Sequence, residues 1–147
     1  MADLSDLSRG LNRVSIRLNK QIKLAVDKVA VELTTDLAIA TPVDSGRALS
    51  NWQAGLIRQR DYIEAYFPGK YGSTRSENVQ AVQSRARNNV RNRRLGKAIY
   101  VSNNAPYIKR LDEDGHSQQA RNFIRPTVRQ TVKKAQRFLR PLGAQIG

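Results

Sequence analysis

The sequence predicts an α+β domain in which a long N-terminal helix and a C-terminal helix pack on a small, mainly antiparallel sheet. Apolar residues recur at every third or fourth position from Leu4 to Ala40. Two short runs around Trp52 and Tyr100 carry the β-branched and aromatic residues of strands. Val128, Val132, Ala135 and Leu139 then restore the helical period near the end. A length of 147 residues suits one domain with a genuine core.

Leu4, Leu7, Leu11, Val14, Leu18, Ile22, Ala25, Val29, Leu33, Leu37 and Ala40 put one apolar stripe along a helix over 1–40. From Leu11 onward it spans about 45 Å at 1.5 Å per residue. That exceeds the width of a small domain, so one end is expected to project or to pack on another copy. Gly10 weakens the first turns by about 1 kcal/mol relative to alanine. The stripe serves either plain core packing or a subunit contact.

Residues 41–67 are expected to form a turn and a hairpin. Pro42 pushes Thr41 out of the α region, and Asp44, Ser45 and Gly46 are turn residues: the two side chains accept backbone N–H bonds and the glycine takes φ > 0. A strand over 49–58, anchored by Trp52, would be answered by 61–67 as the second strand of the hairpin. Residues 68–96 open with Pro68 and Gly69 and read as a basic insertion, helical over 76–95 with a thin apolar line of Val79, Val82, Ala86 and Val90. Between Arg75 and Lys97 there are seven bases (Arg75, Arg85, Arg87, Arg91, Arg93, Arg94, Lys97) and one acid, Glu77. Like charge at that density is self-repelling, so fraying is expected.

Residues 97–115 form the unit around which the rest is arranged. Ala98 to Val101 have the character of a buried strand, which Asn103 and Asn104 break. One of these asparagines is expected to cap a helix begun by Pro106, whose missing N–H is no loss in a first turn. Tyr107 and Leu111 share a face of that helix, and Gly115 closes it in the left-handed conformation. Residues 116–147 supply a polar loop and a basic helix over about 126–140, stopped by Pro141 and followed by a loose tail. Arg125, Arg129, Lys133 and Arg137 recur every four residues along it. No acid follows Asp114, so the last 33 residues carry seven unopposed bases.

The charge is the strongest global fact: 26 Lys and Arg against 12 Asp and Glu give +14. Such a surplus attracts polyanions without specifying a fold. With no cysteine, disulfides and thiolate metal sites are excluded, which fits a reducing compartment or a particle assembled in one. No apolar run approaches the roughly 20 residues that span a bilayer, and the acidic N-terminus lacks the order of a signal peptide. A soluble protein of cytoplasmic origin is expected, with no membrane contact.

No catalytic residue, cofactor or metal is expected. Asp112, Glu113 and Asp114 precede the single histidine, His116. Consecutive acids cannot all point one way on a helix, however, and a solvated helix end accounts for them. Ser45 and Ser102 have no second histidine to act as base and lie in no nucleophile elbow. A phosphate-cradling glycine loop is also lacking.

Three stretches in order resemble the tail-completion family of long-tailed bacteriophages, the minor tail protein Z type found with its relatives at the head–tail joint. The first is Thr41-Pro42-Val43-Asp44-Ser45-Gly46-Arg47 after a long helix, with Ser50 and Trp52 following. The second is Ile99-Tyr100-Val101-Ser102-Asn103-Asn104-Ala105-Pro106-Tyr107, with Leu111, an acidic run and Gly115-His116-Ser117 after it. The third is Gln119-Ala120 before Phe123-Ile124-Arg125-Pro126 and a terminal helix. Residues 59–96 are left as the variable part.

The resemblance implies a structural subunit that performs no reaction. It would assemble in the host cytoplasm into a homo-oligomeric ring, hexameric or dodecameric, in contact with neighbouring neck and tail proteins of the virion. Packaged DNA passes such a ring, so Arg85, Arg87, Arg91, Arg93 and Arg94, with Arg129, Lys133 and Arg137, are candidates to face phosphate non-specifically or to dock an acidic neighbour; a solvated surface is the third reading. The alternative from charge alone is a stand-alone nucleic-acid-binding protein, whose affinity for DNA would fall steeply with salt.

Overall fold

The computed structural model describes residues 4–114 and 122–146. In chain order the elements are α1 (Leu4–Ala40), α2 (Arg47–Ser50), β1 (Trp52–Gly55), α3 (Arg75–Val90), β2 (Tyr100–Asn103), α4 (Ile108–Asp114) and α5 (Ile124–Ile146). Helices dominate, and among the described residues the mixed class carries one two-stranded antiparallel sheet.

α1 is the spine. Its second half packs against both α3 and α5, burying Ala30, Val31, Thr34, Thr35, Leu37 and Ala38. Three threonines tolerate that burial because each hydroxyl donates to the carbonyl four residues back: Thr34 to Ala30 (2.7 Å), Thr35 to Val31 (2.8 Å) and Thr41 to Leu37 (2.6 Å). The first half projects, with Leu4 84 % and Leu11 62 % exposed. Nothing lies within 4 Å of a Cβ at Gly10, so the glycine sits in an exposed helical turn.

The core forms where Leu37, Leu49, Trp52, Val82 and Phe123 meet, beside a smaller cluster of Val31, Ala54, Ala86 and Val90. Residues 68–96 are therefore no appendage: the thin apolar line of α3 enters both clusters, with Val82 and Ala86 each 1 % exposed. Of the bases on α3, Arg87 is exposed on another face. Trp52 reaches the end of α1, where its indole N–H donates to Thr41 Oγ1 at 2.7 Å. Arg75 caps the same helix end, donating to the Ile39 and Thr41 carbonyls at 2.5 and 3.1 Å.

The expected strand over 49–58 is shortened to Trp52–Gly55, because Gly46 at φ 89° starts a helical turn closed by Ser50 N–H to Gly46 O (3.0 Å). The expected hairpin with 61–67 is absent. β1 pairs instead with β2, in the register Trp52 to Asn103 and Gly55 to Tyr100. Side-chain amides take the place of a ladder for 61–67. Asn51 receives the Ile63 N–H (2.9 Å) and donates to the Ile63 carbonyl (2.7 Å), which is how a paired strand residue would bond.

Asn78, fully buried on α3, does the same at Phe67: Oδ1 accepts the Phe67 N–H at 2.8 Å and Nδ2 donates to its carbonyl at 2.9 Å. A Cβ at Gly46 would lie 2.6 Å from Asn78 Nδ2. Gly46→Ala is therefore expected to lower stability by about 2 kcal/mol, from the left-handed backbone and the displaced amide together, as read by urea unfolding.

Three further corrections concern the second half. β2 starts two residues later than expected, runs through Asn103 and is only half-buried. On α5 the buried row is Thr127, Thr131 and Ala135 below Phe123, leaving Val132 47 % exposed. Thr131 turns that row toward α1 by donating to Asp36 Oδ2 (2.8 Å), so a polar contact sets the helix rotation instead of the valine. Pro141 does not stop α5, which continues to Ile146. The proline forfeits one donor to the Arg137 carbonyl.

Candidate interaction surfaces

The first surface is a cleft of about 320 Å³ where the two halves of the fold meet. Pro42, Asp44, Ser45 and Gly46 line it from the turn after α1, and Tyr107 and Leu111 line it from α4 and the residue before. Residues singled out in two separate stretches of sequence thus share one wall. Asp44 anchors this wall from outside: Oδ1 accepts the Tyr71 N–H (3.1 Å) and its carbonyl accepts the Gly72 N–H (2.9 Å). Burial raises the pKa of the Tyr107 hydroxyl, as do Tyr62 and Glu64, against Arg47 and the Ala48 amide. It is a neutral donor and acceptor at physiological pH.

Asn103 and Asn104 act by holding neighbours together. Asn103 Nδ2 donates to Ala48 O (2.8 Å), while its Oδ1 accepts the Ala105 N–H (2.9 Å) two residues on. That is an Asx turn leading to α4, not a cap on the helix itself. Asn104 donates outward to Asp61 O (3.1 Å). Pro106 borders a shallower depression with Lys109, Arg110 and Glu113. Gly115 and His116 lie outside the described residues. Asp112 serves the fold, its Oδ1 accepting the Ile124 N–H (3.0 Å) at the start of α5.

The basic residues separate into three kinds. Arg93 is buried, 3 % exposed, and cannot face DNA or a partner. Its Nε donates to Asp27 Oδ1 (2.7 Å), and its other nitrogens donate to the Lys97 and Lys23 carbonyls (2.8 and 3.3 Å). Lys23 completes the knot on Asp27 Oδ2 at 2.6 Å. Arg85 is half-buried and donates to the Tyr66 hydroxyl (2.7 Å). Arg87, Arg91, Arg94, Arg129, Lys133 and Arg137 are exposed.

Arg87 and Arg91 also line the second surface, a groove of about 470 Å³ between α1 and α3. Leu24, Val31 and Val90 give it an apolar lining, and Lys28 and Glu32 sit on the α1 side. On α5 the line Arg129, Lys133, Arg137 faces away from the buried threonines. Asp27, Asn51 and Asn78 escaped the sequence reading, and Arg75 entered it only as one of seven bases.

Among the described residues, no three His, Cys, Asp or Glu side chains gather as a metal site would require, and no helix is long and apolar enough to cross a membrane. No family model, curated protein or solved structure matches the chain.

Proposed function

We propose that this chain is a structural virion protein of a tailed bacteriophage, acting in tail completion or in joining the tail to the head at the neck. Its work is assembly into a ring of identical copies, six or twelve, against neighbouring neck and tail proteins, with packaged DNA passing through. The observation that carries the reading is the projecting half of α1, where Leu4, Leu7, Leu11 and Val14 are each more than half exposed along one helical face. A lone subunit leaves that stripe in water, and a neighbour removes it. The order of the three sequence stretches that resemble the tail-completion family supports the same reading, as does the cleft that joins the first two. The exposed bases of α5 then suit a lumen lined toward phosphate, held without reading sequence.

Mass spectrometry of purified particles tests this. The protein is expected in tails or neck at a copy number of six or twelve, and its loss should leave heads and tails unjoined or tails unfinished. Absence from finished and unfinished particles alike would contradict the proposal. The unopposed line Arg129, Lys133 and Arg137 also favours a second reading, a free nucleic-acid-binding protein. That reading requires the isolated chain to shift duplex DNA at low salt and release it as salt rises.

A further inference from the structure

We infer that the groove between α1 and α3 receives the N-terminal tip of α1 from a second copy of this chain, a docking that rests on the homo-oligomer reading and gives its contact. The tip offers two leucines, Leu4 at 84 % and Leu7 at 57 % exposure, with Asp6 and Arg9 beside them on the helix surface. The groove offers the converse: an apolar lining of Leu24, Val31 and Val90, with cations Lys28, Arg87 and Arg91 and the acid Glu32 around it. Leu24 is 55 % exposed there, so the groove has apolar surface to give. Asp27 adds little negative charge at the surface, because Arg93 and Lys23 both pair with it.

Each sign on the tip thus finds its opposite, Asp6 with Arg87 and Arg91, and Arg9 with Glu32. The exposed pairs now made within each helix, Asp6 with Arg9 at 3.7 Å and Lys28 with Glu32 at 3.9 Å, are weak and exchange at small cost. A phosphate backbone would use the cations but would gain nothing from Leu24, the one lining apolar side chain that is widely exposed beside the nearly buried Val31 and Val90, and would be repelled by Glu32. The lining therefore favours a protein helix over DNA. Residues 4–18 extend about 22 Å as helix, enough to carry the tip onto a neighbour without moving either body.

The chain has no cysteine, so single cysteines report this contact cleanly. Leu7→Cys and Leu24→Cys chains, purified separately, are mixed and oxidised. The two positions lie about 25 Å apart along one helix, so only a contact between copies can join them. A disulfide-linked dimer is expected in the mixture at tenfold or more over either variant alone, and Asp6→Lys should reduce it severalfold, with Arg87→Glu in the partner restoring it. If the unmodified chain is an oligomer and no such dimer forms, this docking is wrong while the ring reading stands. A chain that stays monomeric at every concentration overturns both. Loss of duplex-oligonucleotide binding in Arg87→Gln/Arg91→Gln, with no trapped dimer, would assign the groove to DNA and overturn the docking.

Discussion

Arg93→Ala is expected to lower unfolding free energy by about 3 kcal/mol, whereas Arg91→Gln and Arg94→Gln each change it by less than about 0.5 kcal/mol. The three arginines lie within four residues, yet only Arg93 is buried, and its truncation leaves Asp27, 13 % exposed at the side chain, with Lys23 as its sole cation. Lys23 keeps the loss toward the lower end of what a broken buried pair costs. Two backbone carbonyls, those of Lys97 and Lys23, lose their donor at the same time. Lysine cannot replace the planar fork, so Arg93→Lys should fall between. Removing both charges in Asp27→Leu/Arg93→Met should recover most of the loss, because an apolar pair of similar volume needs no partner. Urea midpoints at unchanged slope give all five values.

Asn78→Ala should cost a similar amount, about 3 kcal/mol, by a different route. The amide satisfies both backbone groups of Phe67 and also bonds the hydroxyls of Ser50 and Thr74 at 3.2 Å each. Truncation strands the Phe67 N–H at about 1–3 kcal/mol, while the Phe67 carbonyl keeps the Thr74 hydroxyl (2.6 Å) and Ser50 Oγ keeps the Tyr66 N–H (3.3 Å); the emptied volume in a buried site supplies the rest. Asn78→Asp tests the geometry independently of size. The new oxygen would face the Phe67 carbonyl, so this near-isosteric change should be no milder than alanine. Both variants should also speed protease nicking over residues 59–72, since Asn78 and Asn51 stitch that segment to the body.

What could be read from the sequence follows the range of the forces involved. The helical periods of α1, α3 and α5 are local patterns, and each marks a real helix. The pairing of β1 with β2 is not local: Asn103 lies 51 positions beyond Trp52, so the nearer partner at 61–67 was the natural but wrong expectation. Asparagine side chains that imitate a ladder carry no periodic signal, and Asn51 and Asn78 were invisible for that reason. Arg93 looked like its neighbours because burial of a charge depends on where its counterion lies, here 66 residues away on α1. The turn at 42–46 and the Tyr107 corner could be named in advance from proline, glycine and asparagine chemistry. Their meeting across one cleft could not.

A fold assembled this way keeps one arm of its longest helix outside its own core, and the proposed ring would cover that arm with a copy of the same chain. Native mass spectrometry of the full chain at rising concentration addresses that claim most directly. A closed assembly of six or twelve identical copies is the predicted result. A single-chain mass at every concentration, with or without duplex DNA present, would contradict it.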